Sequence, residues 1–212
     1  MKKKALFSFL TAALLLSGLT EVRENPALAN ISPKKTTTTK PPNKPTNKPV
    51  NKPVQLEWKV FNAPDGRFSI LMPGAPKTLS QTQKTFMGEI NLQVFVAQPP
   101  NQEVAYIVAF NDFPDRYGDL ANPKELLNNA KDMALKTTQS NLIKQKEIIS
   151  YNGHPGKEIE YVNQGGKITI NRMYLAQGRL YQVMVITSKK QKQTLEKTMN
   201  GYLNSFQLAL KK

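Results

Sequence analysis

The residues of this chain best suited to chemistry are carboxylates. Glu158 and Glu160 sit two apart in "GKEIEYVNQ". If that stretch is a strand, both face one side while Ile159 and Tyr161 face the other. Side chains two apart on a strand lie roughly 7 Å from one another, a separation that glycosidase chemistry can use. Such a pair also needs a cleft, and nothing in the sequence announces one. A solvated strand face, its glutamates paired with lysines, is the expected arrangement. A second group is Asp112, Asp115 and Asp119 in "NDFPDRYGD", three carboxylates within eight residues that could hold a hard cation such as calcium. Their spacing misses the D-x-[DN]-x-[DN]-G loop, and Arg116 lies among them, so a charged loop ahead of a helix is the plainer reading. His154, the single histidine, stands in "YNGHPGKEIEY" beside a turn signal. It is expected to be an exposed turn residue, since a transition-metal site would need further histidines or cysteines.

Absences narrow the field. The chain of 212 residues has no cysteine, which excludes thiol catalysis, thiolate metal sites and iron–sulfur chemistry. GxSxG is missing, and Gly165-Gly166-Lys167 is too short for a phosphate-binding loop and falls in a hairpin turn. No nucleotide enzyme and no cofactor are indicated. Net charge is +15. Such a balance favours anionic partners: an acidic protein face or membrane complex, acidic lipid, or cell-wall polymer. Nucleic acid is not expected, because no aromatics interleave with the lysine cluster as a stacking surface requires.

The elements that must position these residues follow from pattern. Lys2-Lys3-Lys4 precede the apolar run 5–19, too short for a bilayer span and suited to a secretory signal. Ala27-Leu28-Ala29 offers a cleavage site, so residues 1–29 read as a signal peptide and Asn30 as the mature start. An uncleaved anchor is the alternative. Residues 30–54 form a basic spacer in which Asn-Lys-Pro recurs at 43, 47 and 51. Proline at that density favours extended polyproline II, reaching on the order of 70 Å. Lys34, Lys35, Lys40, Lys44, Lys48 and Lys52, with no acid among them, are the candidates for contact with an anionic partner.

Residues 55–212 make one domain. Alternating or apolar runs predict strands at 57–62, 67–71, 78–87, 90–98 and 103–113. A helix follows with Asn122 as cap and Pro123 at its first position, presenting Leu126, Leu127, Ala130, Met133, Ala134 and Thr138 as one stripe. Strands at 144–150, 156–164, 167–177 and 179–188 then meander through short turns. A last helix opens at Ser188, with Leu195, Met199, Tyr202, Leu203 and Phe206 on its apolar face. "FQLAL" either adds a strand or docks. Strands, helix, strand meander and helix argue for an α+β fold, an antiparallel sheet flanked by helices. The aromatics Trp58, Phe61, Phe68, Phe95, Tyr106, Phe110, Tyr174, Tyr181 and Phe206 fit its core, with Trp58 the one that could instead rim a ligand pocket.

"FNAPDGRFSILMPGAP" and the run from "YNGHPGKEIEY" through "RMYLAQGRLYQVMVI" to "LNSFQL" carry a family resemblance. With the element order, they resemble the Mog1/PsbP-like fold, an α/β/α sandwich. They are most similar to the secreted PsbP-like domain proteins common in cyanobacteria. The resemblance covers roughly residues 56 to 209. It implies a non-enzymatic accessory role in the periplasm or thylakoid lumen, since known members are mostly binding or assembly proteins, among them extrinsic and assembly factors of photosystem II. The chain departs from the cyanobacterial homologue on photosystem II in lacking a cysteine for lipid attachment. A small-ligand or lipid-binding envelope protein, with a pocket between sheet and helix, is the alternative expectation. A hydrolase using the paired glutamates is a third.

Overall fold

The computed structural model describes residues 57–85, 88–100, 102–114 and 122–210. The expected signal peptide and the whole of the spacer, including its six lysines, lie outside these residues, as do Asp115 and Asp119. No described helix is long and apolar enough to cross a membrane.

Every pairing between the strands is antiparallel. Strands β3 (Lys77–Thr85), β4 (Gly88–Ala97), β5 (Val104–Asp112), β6 (Ser140–Ile149), β7 (Pro155–Asn163), β8 (Lys167–Ala176) and β9 (Arg179–Ser188) form a seven-stranded sheet in the order β3-β4-β5-β9-β8-β7-β6. The strands at the two ends of the domain stand apart from it. Here β1 (Trp58–Asn62), β2 (Phe68–Pro73) and β10 (Gln207–Leu208) make a second, three-stranded sheet. The "FQLAL" tail therefore adds a strand, fixed to β2 by Leu208 opposite Phe68 and by the Ala209 N–H donating to the Arg67 carbonyl at 2.8 Å.

Helix α1 (Pro123–Thr137) starts as its sequence signals: the Asn122 side chain accepts the Lys124 N–H at 2.9 Å. Leu126, Leu127, Ala130 and Ala134 are buried, packed with Ile159, Tyr161, Met173, Leu175 and Leu180. Helix α2 (Lys189–Asn204) begins at Ser188, whose hydroxyl accepts the Gln191 N–H at 3.3 Å. It buries Met199, Tyr202 and Leu203 against the opposite sheet face, alongside Phe68, Ile70 and Met72 of the small sheet. Burial of these apolar side chains contributes about 1.5–3 kcal/mol each, which makes the two faces the principal stabilising contacts.

Two local geometries decide what lies beside what. Gln177 and Gly178 both have positive φ, +48° and +70°, the two-residue turn whose twist suits a hairpin. That turn sets Arg179 opposite Ala176 at the start of β9, and the pairing of β9 with β5 sets the same residue opposite Asp112. Gln139, also at φ +48°, reverses the chain immediately after α1. β6 consequently starts at Ser140, four residues before the expected position, because a glutamine in the left-handed region gives no compositional warning.

Candidate functional site

Alternation does place Glu158 and Glu160 on one side of β7, and lysines do pair with them, but that side is not solvated. Arg172 lies opposite Glu158 on β8 and its Nε–H donates to Oε2 at 2.6 Å. Lys146 on β6 reaches the other oxygen at 3.1 Å. Glu160 pairs with Lys144 at 3.1 Å and with Lys192 of α2. Arg172 is tied in turn to α2, donating to Asn204 Oδ1 at 2.7 Å. Helix α2 comes down over this face, so Glu158 and Glu160 are only 9% and 3% exposed. The expected open face is corrected accordingly: tertiary packing of α2 covers what the strand pattern left free.

The chemistry of this pair is that of a filled ionic network. Burial pushes the Glu158 carboxyl up, but hydrogen bonds and charge from Arg172 and Lys146 outweigh it and hold the group below its ordinary 4.5. A general acid needs the opposite shift. The glutamates are thus placed to bind α2 to the sheet.

A second ionic cluster went unsuspected in the sequence. Arg179 is nearly buried, its Nε–H and Nη2–H donating to the two oxygens of Asp112 at 2.7 and 2.8 Å. Its Nη1–H donates to Asp65. The guanidinium lies over the Phe110 ring, 3.9 Å from the centroid, a cation–π stack. Arg67 stands beside Asp112 at 3.7 Å and donates to the Gln177 carbonyl at 3.3 Å. Burial opposes the Arg179 charge, yet the bonds to Asp112 and Asp65 more than offset it and raise its pKa further. Asp112, one of three candidate cation ligands, therefore has both oxygens engaged by arginine. The other two, Asp115 and Asp119, lie outside the described residues, among which no group of three metal-ligating side chains converges. The only forewarning of this cluster was a pair of turn motifs, "PDGR" and "QGR", which do not reveal that they meet.

"YNGHPGKEIEY" has a structural explanation. Ser150 and His154 close the turn, the Ser150 N–H donating to the His154 carbonyl at 2.9 Å and the His154 N–H to Ser150 Oγ at 3.0 Å. Asn152 Nδ2 donates to the Leu208 carbonyl at 2.9 Å, pulling the turn onto the end of the chain. His154 is half-buried as a result, where an exposed residue was expected. Gly156 is required for space. A Cβ there would stand 2.6 Å from the Met173 carbonyl oxygen and 2.7 Å from Tyr174 Cδ1.

Trp58 packs edge-on against Tyr106, centroids 5.0 Å apart, and rims no described cleft. A cleft of about 640 Å³ opens among Pro73, Lys77, Leu79, Val96, Pro99 and Glu103. Another of about 400 Å³ has Phe95 and Phe110 in its lining and the Arg179 cluster at its side. Neither is lined by a helix residue, so the expected pocket between sheet and helix is not what these clefts provide. The exposed apolar side chains concentrate elsewhere, on the edge strand β6 and the turn after it: Leu142, Ile143, Ile149 and Tyr151.

No protein-family model and no curated protein sequence matches the chain. Among solved structures, the solution structure of cyanobacterial PsbP (CyanoP) from Synechocystis sp. PCC 6803 matches over 76% of this chain and 96% of its own, with a TM-score of 0.52 at 11% identity. The fold is PsbP-like. PA94, a Pseudomonas aeruginosa protein of unknown function, overlaps 73% of this chain and 98% of its own, with a TM-score of 0.46 at 12% identity. At 11% identity the likeness to CyanoP is one of fold, carried by the antiparallel sheet and its two helices.

Proposed function

We propose that this chain is an exported, non-enzymatic PsbP-like interaction module that docks on an acidic face of a protein partner or membrane complex and supports its assembly or stability. The observation that carries this reading is the β6 edge. β6 pairs on one side only, with β7, so the backbone groups of its outer side have no strand partner among the described residues. Exposed edges of this length are usually blunted, because they recruit other strands. This one presents Ile149 at 74% and Tyr151 at 98% exposure, with Lys144 and Lys146 between them and the exposed Leu142 and Ile143. A register shift between Leu142 and Lys144 bends the start of the strand, leaving 144–149 as the regular stretch. An extended, acidic segment of a partner fits such an edge, with main-chain bonds giving affinity and alternate side chains giving specificity. In this proposal the N-terminal stretch 1–29 directs export to the periplasm or thylakoid lumen. The spacer 30–54 then holds the domain near an anionic surface through Lys34, Lys35, Lys40, Lys44, Lys48 and Lys52. The likeness of fold to CyanoP supports a PsbP-like module.

The test is capture from envelope and thylakoid extracts at low and high salt, using the wild type and Ile149→Asp/Tyr151→Ser. A partner held at low salt, released as salt screens the charges and lost by the variant supports the reading. The absence of any partner at low salt, or equal capture by a variant of unchanged thermal stability, overturns it.

A further inference from the structure

If β6 docks a strand, as proposed above, its own charges dictate what that strand carries. On the α2 side of the large sheet, three successive strands alternate in charge. Arg172 of β8 lies opposite Glu158 of β7, and Glu158 lies opposite Lys146 of β6. The contacts follow the register, with Arg172 Nε 2.6 Å and Lys146 Nζ 3.1 Å from the Glu158 oxygens. Two residues along, Lys144 lies opposite Glu160 at 3.1 Å, and Lys192 of α2 supplies the inner cation. Both rows therefore end at β6 on a lysine. The Lys144 and Lys146 side chains are 65% and 60% exposed, against 3% and 12% for the glutamates they pair with. An ammonium has three donors, so each lysine can serve a second carboxylate on its outer side. The other side of β6 differs. Gln145, Glu147 and Ile149 alternate with the lysines, and Gln145 lies opposite Ile159, which packs with α1. Glu147 pairs across the surface with Lys124 of α1, at 3.7 Å.

These charges rule against a second copy of β6 as the docked strand. Two copies joined edge to edge by a two-fold axis perpendicular to the sheet run antiparallel with the same face up. Residues of β6 that share a face then meet one another across the junction. Centred on residue 144 or 146, such a pairing sets a lysine against its own copy, and centred on 145 it sets Lys144 against Lys146. Centred on 147, it sets Glu147 against its own copy. Like charges directly opposite are destabilising. Registers centred elsewhere engage no more than the end of the regular stretch 144–149.

We propose that the partner is a different chain, whose docking segment is an antiparallel strand of the pattern apolar-x-x-acid-x-acid. Its apolar residue faces Ile149 and its two acids face Lys146 and Lys144 in turn, with a neutral or basic residue opposite Glu147. The acids extend each row of alternating charge by one strand. The antiparallel sense matches every described pairing in the domain and gives the stronger ladder.

The test is titration of the full chain with short synthetic peptides, read by amide shifts along β6. One peptide carries Ile-Thr-Thr-Glu-Thr-Glu, a second has Gln for both Glu, and a third has the first sequence reversed. The expected result is binding about 2- to 30-fold tighter for the Glu peptide than for the Gln peptide, the fold-change of two favourable cross-strand charge pairs. Lys144→Gln/Lys146→Gln should abolish that difference, a coupling that general destabilisation does not imitate. Equal binding of the Glu and Gln peptides to the wild type, which needs no variant to fold, overturns the acid pattern and leaves edge docking standing. A reversed peptide that binds as tightly as the first overturns the antiparallel sense. Absence of any shift along β6 with all three peptides at millimolar concentration overturns the docking reading and this pattern with it. Sedimentation of the chain alone as a dimer that Ile149→Asp dissociates overturns the exclusion of a second copy.

Discussion

Replacing Arg179 with methionine tests whether the buried guanidinium fastens the small sheet to the large one. Asp65 belongs to the turn between β1 and β2, whereas Asp112 and Arg179 stand opposite each other on β5 and β9. Hydrogen bonds to a charged group contribute about 1.5–3 kcal/mol net, and Asp112 makes two of them. Asp112 is 53% exposed and Asp65 33%, so solvent screening keeps the ionic part at the lower end. The stack on Phe110 adds about 0.5–1 kcal/mol. Methionine retains the buried apolar stem and loses both contributions, for an expected cost of about 2 kcal/mol. Lysine keeps the charge but has neither fork nor planar stack, and should cost about 1 kcal/mol. Urea unfolding of the three proteins at neutral pH measures these differences as midpoint shifts at unchanged slope. The pH series adds a second readout. Burial raises the Asp65 carboxyl, but the bonds and charges of Arg179 and Arg67 outweigh it and hold the group below its ordinary 3.8. A depressed carboxyl contributes stability that is complete above 3.8 and is lost as pH falls through the lower folded value. Arg179→Met should flatten that acid limb. A loss under about 0.5 kcal/mol for methionine, or a lysine variant indistinguishable from wild type, would refute the clamp.

Gly156→Ala should destabilise by about 1–3 kcal/mol, because the new methyl meets the Met173 carbonyl, a backbone atom that cannot swing aside. Urea unfolding within about 0.5 kcal/mol of wild type would contradict the packing explanation. Glu158 is likewise held below 4.5, so its contribution should be present above that pH and fade below it. Glu158→Gln should remove this part of the acid dependence. An acid limb identical to wild type would dispose of the Arg172 and Lys146 attributions.

Much of the architecture was legible locally. Period-two alternation announced strands, Asn122-Pro123 and Ser188 announced helix starts, and "QGR" announced a tight turn, because each depends on neighbours a few residues away. The ionic sites were not legible in the same way. Arg179 and its partners are 67 and 114 residues apart in the chain, and no local pattern encodes their meeting. Glu158 and Glu160 were correctly assigned to one side of a strand and wrongly to solvent. Strand periodicity fixes which side a residue faces but carries no information about the helix that later packs there.

By itself, then, the sequence determined the excluded chemistries, the element order and the alternating faces. Composition forbids thiol chemistry outright, and backbone sterics with short-range hydrogen bonding set each element. Only the tertiary structure decided that the end strands form a separate sheet, that α2 buries the glutamates and that β6 is left as an open edge. Coverage of a sheet face depends on where distant segments pack, and that is settled by the whole domain's burial of apolar surface.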